Sequence, residues 1–175
     1  YLEGTISNNY IQWNNPIILR DTIDWALSGE GIAVAFGMYG SAMVASFDDG
    51  KLRIMVKNST DSSFVNYSFF DTSFRDSVRL ISTPSGAITI IFLENSNPVN
   101  INWGTYYPGV GWSDFVMDTI YMRTDTRYTF DLSAVADISG VIHIVYSFDN
   151  LTDVGVRHCE LGETSIENYE WIDYS

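Results

Sequence analysis

The sequence predicts an all-β protein, and three observations carry that expectation. Aromatic residues reach 15% of the chain and β-branched residues fill its apolar segments, a composition that suits pleated, half-buried surfaces. No segment keeps a helical apolar period over about eleven residues. One short pattern also recurs three times: a glycine-containing turn beside an alternating strand. The copies read "GEGIAVAFGMYG" (29–40), "SGAITIIFLENS" (85–96) and "SGVIHIVYSFDN" (139–150).

Anchored on Asp21, Asp76 and Asp131, the copies fall 55 residues apart. The first 20 residues, "YLEGTISNNYIQWNNPIILR", match the outer strand of a preceding or closing unit in that register. Unit one is expected over 21–75, with Ser28–Gly31 as its turn, "GIAVAF" after it and "SAMVASFDDG" as the third strand. There "KLRIMVKN" and "SFVNYSFF" compete for the outer position. Unit two (76–130) turns at Ser85-Gly86, continues through "AITIIF" and "PVNINWGTYYPG", and closes with "GWSDFVMDTI". Unit three (131–175) turns at Ser139-Gly140, continues through "VIHIVY" and "DVGVRHCELGE", and closes with "NYEWIDYS". About four short strands per unit of roughly 50 residues is the pattern of a β-propeller blade, and a β-sandwich is the alternative. Three blades make an incomplete ring, since propellers close with about four to eight. Either the chain is a fragment of a larger propeller, the reading favoured by the absence of an initiator Met, or two copies associate as a homo-oligomer that completes the ring.

The stretch "VADISGVIHIVYSFDNLTDVGVR" (135–157) resembles repeats of sialidase-like and lectin-like propellers, and "NINWGTYYPGVGWSDFVMD" resembles their third and fourth strands. The resemblance covers about residues 21–175 at superfamily depth. It implies a propeller scaffold and leaves the ligand open. The sialidase Ser-x-Asp-x-Gly-x-x-Trp box is absent, and "SFDDGKLR" (46–53) echoes it without the Trp. That departure weakens any carry-over of enzymatic activity.

Nine Lys+Arg against 22 Asp+Glu give a net charge of −13, which argues against nucleic acid and against anionic membrane surfaces. No apolar run approaches the ~20 residues of a membrane-spanning helix, and no membrane insertion is expected. One cysteine, Cys159, excludes an intrachain disulfide and reads as a small half-buried residue. Its neighbour His158 points to the opposite face of a strand, so the two are poorly placed to act together. Sequons at Asn58, Asn66 and Asn150 are compatible with secretion, and the expected location is extracellular or on a cell or virion surface.

The candidate ligand-binding residues are Trp103, Tyr106, Tyr107 and Trp112 around a Pro-Gly turn, with Asn102 as a polar partner. Exposed aromatics there stack on a sugar face, whereas buried ones pack between blades. Asp114, Asp24 and Arg79 are secondary candidates. No catalytic residue, cofactor or metal site is assigned. Calcium is a weak candidate at the oxygen-rich turn of Asp149, Asn150 and Asp153, as at Asp48-Asp49, and neither turn has EF-hand spacing. His143 and His158 are the two histidines of the chain and lack a metal-ligand spacing. The expected function is glycan recognition by an extracellular binding module whose partner is a carbohydrate or another surface protein. The alternatives are a structural subunit of a surface or fibre protein and a fragment of a glycosidase-like propeller enzyme.

Overall fold

The computed structural model describes residues 4–7, 10–13, 32–37, 40–48, 51–58, 64–70, 74–94, 99–120, 132–149, 154–163 and 165–172. Every regular element among them is a β-strand. Strands β1 (Gly4–Ser7) and β2 (Tyr10–Trp13) pair only with each other among the described residues, so this segment holds a hairpin where one outer strand was expected.

Three antiparallel meanders follow. The first sheet runs in order through β3 (Ile32–Phe36), β4 (Ala42–Asp48), β5 (Lys51–Lys57) and β6 (Val65–Phe70). The second joins β7 (Phe74–Ser82), β8 (Ile88–Glu94) and β9 (Val99–Tyr107). Its outer position is shared by β10 (Gly111–Trp112) and β11 (Val116–Ile120), both antiparallel to β9. The third runs through β12 (Leu132–Ala136), β13 (Ile142–Asp149), β14 (Val154–Leu161) and β15 (Ile166–Ile172).

A similar hairpin joins the first two described strands of each sheet. Gly37 N donates to Ser41 O at 3.0 Å, Thr83 N to Ala87 O at 2.9 Å, and Asp137 N to Val141 O at 2.9 Å. Each loop places a glycine in the left-handed region: Gly40, Gly86 and Gly140 have φ of 80°, 84° and 94°. A type I turn followed by such a glycine suits a three-residue hairpin loop. Pro84 stands where that turn favours a fixed φ. These glycines lie 46 and 54 residues apart, against the 55 that separates Asp21, Asp76 and Asp131. Among the described residues, 32–36 form the first strand of the first sheet, the turn expected at Ser28–Gly31 lies outside them, and "KLRIMVKN" and "SFVNYSFF" take successive positions as β5 and β6.

The opening strands β3 and β12 both contact β7, so the second sheet is packed on both faces. One core cluster, with Met43, Ile54, Ile88, Ile90, Phe92 and Tyr106, lies between the first and second sheets. The other, with Ile91, Leu93, Trp103, Ile144, Tyr146 and Cys159, lies between the second and third. Residues of β8 alternate between the two clusters, which is why "ITIIFL" is apolar at nearly every position. Gly104 fits the same packing, because a Cβ there would stand 2.9 Å from the Phe115 ring.

Candidate functional site

A cleft of about 880 Å³ opens between the second and third sheets, at the end where their hairpins gather. Its walls come from the 83–87 and 137–141 turns, the end of β9, the 113–114 segment and the β14–β15 connection. Trp103, Thr89 and Ile142 are buried residues at its base, while Tyr107 stands on its wall and is 47% exposed.

Local chemistry fixes these walls. Tyr107-Pro108-Gly109-Val110 is a turn closed by Val110 N donating to Tyr107 O at 3.0 Å, with Gly109 at φ 81°. Proline followed by a positive-φ glycine is the type II pattern. Beyond it, Ser113 N donates to Thr105 O at 2.8 Å and Ser113 Oγ accepts from Thr105 N at 3.0 Å. That exchange keeps Ser113 against β9 between β10 and β11. Thr89 and Thr105 share a hydroxyl hydrogen bond of 2.9 Å. On the facing sheet, Asp137 Oδ1 accepts from Ser139 N, Ser139 Oγ and Val141 N at 2.8, 2.7 and 2.9 Å. The Ser139 hydroxyl, then the Val141 amide and His143, hold the Asp137 carboxyl down to about 2 against a smaller opposing effect of desolvation.

The lining is rich in hydroxyls and acids: Ser85, Thr105, Ser113 and Ser139 with Asp114, Glu163 and Glu167. No lysine, arginine or histidine lines it among the described residues. The described lining carries donors and acceptors suited to a hydroxyl-rich ligand and no cation for an anionic one.

The five aromatic and polar candidates do not share one surface. Alternation along β9 sends Trp103 and Tyr107 to the cleft side and Asn102 and Tyr106 to the other. Tyr106 is buried in the cluster between the first and second sheets, where its hydroxyl donates to Asn58 Oδ1 at 2.9 Å. Trp112 packs on that cluster with its ring 5.4 Å from Tyr106 and 5.5 Å from Phe115. Asn102 is buried. Of the secondary candidates, Asp114 lines the cleft, Arg79 Nη1 donates to Val78 O at 2.9 Å, and Asp24 lies outside the described residues. Asn150, Asp153 and Asp49 also lie outside them, and Asp48 and Asp149 are described in backbone only.

Cys159 is fully buried rather than half-buried, and burial pushes its thiol up to about 12. His158 does face the opposite way. There it meets His143, an encounter that depends on the β13–β14 register, in which Val145 pairs with His158 and His143 with Glu160. The legible signal was His158-Cys159-Glu160, two ligating residue types at i and i+2 on one strand face. Glu163 and Glu167 are cleft residues that sequence reasoning missed, since acids near turns are common and carry no signature.

No family model and no curated protein matches the chain. Among solved structures it is similar to the NanB sialidase from Streptococcus pneumoniae, solved in complex with 2-[(3-chlorobenzyl)ammonio]ethanesulfonate. The TM-score is 0.55 at 15% identity, covering 98% of this chain and 28% of that one. The chain thus spans little more than a quarter of the sialidase it matches. At that identity the likeness concerns fold alone, and what it shows is that this chain has a sialidase-like β-fold.

Proposed function

We propose that the chain is part of a β-propeller and serves as an extracellular glycan-binding module. It takes a neutral sugar in the cleft between its second and third sheets. The observation that carries this reading is Tyr107, a half-exposed aromatic on the wall of a cleft lined by hydroxyls and carboxylates, with no cation among the described residues. An aromatic face packs against the C–H surface of a sugar, and the surrounding acceptors meet its hydroxyls. Three consecutive antiparallel meanders of four, five and four strands, with opening strands β3 and β12 both against β7, support the propeller reading over the sandwich. The sialidase-like fold supports a glycan as the ligand class. The lining favours a neutral sugar over an acidic one, because carboxylate recognition draws on arginine. The test is a glycan array holding matched neutral and sialylated sugars. Saturable binding to neutral members is the expected result; no binding, or binding confined to sialylated members, overturns the reading.

The rival reading, a subunit that assembles through its surfaces, is favoured by one feature. Ile32, Val34 and Phe36 of β3 are 67%, 53% and 57% exposed on one face of the strand. Such an apolar stripe invites association, including pairing of two chains into a closed ring. Light scattering decides between them: a defined species at a multiple of 19.7 kDa favours assembly, and a monomer that binds sugar favours the module.

A further inference from the structure

We propose that His143, His158 and Glu160 form a binding site for a Zn²⁺-class divalent cation on the face of the third sheet that points away from the core. None of the three lines the cleft, so the site stands apart from the glycan reading. Strand alternation creates it. Ile142, Ile144, Tyr146 and Cys159 face the core, so His143, His158 and Glu160 take the opposite side. Their side chains are 28%, 24% and 27% exposed, which leaves an ion a route from solvent.

The ligating atoms converge. His143 Nδ1 lies 3.0 Å from His158 Nε2 and 3.5 Å from Glu160 Oε1, and the site's donor atoms all lie within 4.8 Å of one another. A tetrahedral Zn²⁺ with ~2.0–2.1 Å bonds holds its donors about 3.3 Å apart. Two imidazoles and one carboxylate suit zinc and its later transition-metal neighbours better than calcium or magnesium, which take oxygen ligands. Three protein ligands leave a fourth position for water.

The outward nitrogens are also matched. His143 Nε2 lies 3.5 Å from Asp137 Oδ2, and His158 Nδ1 lies 3.9 Å from Glu170 Oε2. A carboxylate on the distal nitrogen fixes the tautomer that turns the other nitrogen's lone pair toward a metal. Asp137 is itself held by three hydrogen bonds within its turn, so it orients His143 from a fixed position. With the Nε2 proton directed to Asp137, His143 Nδ1 presents a lone pair. With the His158 Nδ1 proton likewise directed toward Glu170 Oε2, His158 Nε2 presents its own lone pair 3.0 Å away, and Glu160 Oε1 faces the same His143 nitrogen at 3.5 Å. A cation satisfies all three acceptors together.

The test uses chelator-stripped protein and ZnCl₂ alone. Calorimetric titration is expected to show one saturable site per chain, with Glu160→Gln weakening binding by at least about tenfold. Because the chain has two histidines, their imidazole C–H proton resonances report the site directly, and both are expected to move together and stop at one equivalent of Zn²⁺. This readout on the unmodified protein does not depend on any variant folding. Absence of saturable binding, movement of one histidine only, or undiminished affinity in a folded His143→Ala/His158→Ala double variant would overturn the proposal.

Discussion

Replacing Tyr107 by alanine is the sharpest probe of the cleft. A tyrosine presents roughly 150–250 Å² of surface, and Tyr107 is 47% exposed, which leaves about 100 Å² within reach of a ligand. A sugar stacked on one face covers about half of that, ~50 Å². At about 25 cal/mol per Å², the lost contact costs about 1.3 kcal/mol, or roughly tenfold in Kd. The assay is calorimetric titration of Tyr107→Ala with the neutral sugar that the array selects. Tyr107→Phe keeps the ring and should stay within about threefold of the parent. Tyr106→Ala provides the contrast. That ring is buried and its hydroxyl bonds Asn58, so its loss should cost about 3–5 kcal/mol of stability. A folded Tyr107→Ala protein that binds the sugar within about twofold of the parent would refute the placement of the site.

Three further outcomes follow from the packing and the titrating groups. Ile91→Ala empties a fully buried position between the second and third sheets and should cost about 3–4 kcal/mol, read as a lowered urea midpoint; a loss below about 1 kcal/mol would mean that β8 is not buried on that face. Asp137 has a folded pKa of about 2, below the ordinary 3.8, so its contribution is complete above the ordinary value and lost as pH falls through about 2. Asp137→Asn should therefore lower Tm at neutral pH, with the difference from the parent closing between about pH 4 and 2; a gap unchanged at pH 2 would contradict the assignment. Cys159, with its thiol raised to about 12 and fully buried, should resist a disulfide reagent in the native protein and react promptly in denaturant; fast native labelling would contradict its burial.

Sequence alone determined the local features that depend on neighbouring residues. Alternation and β-branching marked the strands, and the Pro84-Ser85-Gly86 and Ile138-Ser139-Gly140 turns announced hairpins, because a positive φ at that position calls for glycine. Grouped as candidates around one turn, Tyr106 and Tyr107 part on β9, since adjacent strand residues point to opposite faces. Which face looks outward was decided by the sheets themselves. The first sheet covers Tyr106 and Trp112, whereas Tyr107 meets an open cleft against the third. The order of the first sheet was illegible because "IAVAF" and "ITIIF" share one pattern, although one precedes its turn and the other follows it. The meeting of His143 and His158 rested on the β13–β14 register, a long-range property set by the connection and by which faces are buried. Side-chain periodicity carries information along one strand. What lies opposite it, and whether that neighbour excludes water, is fixed only when the sheets pack.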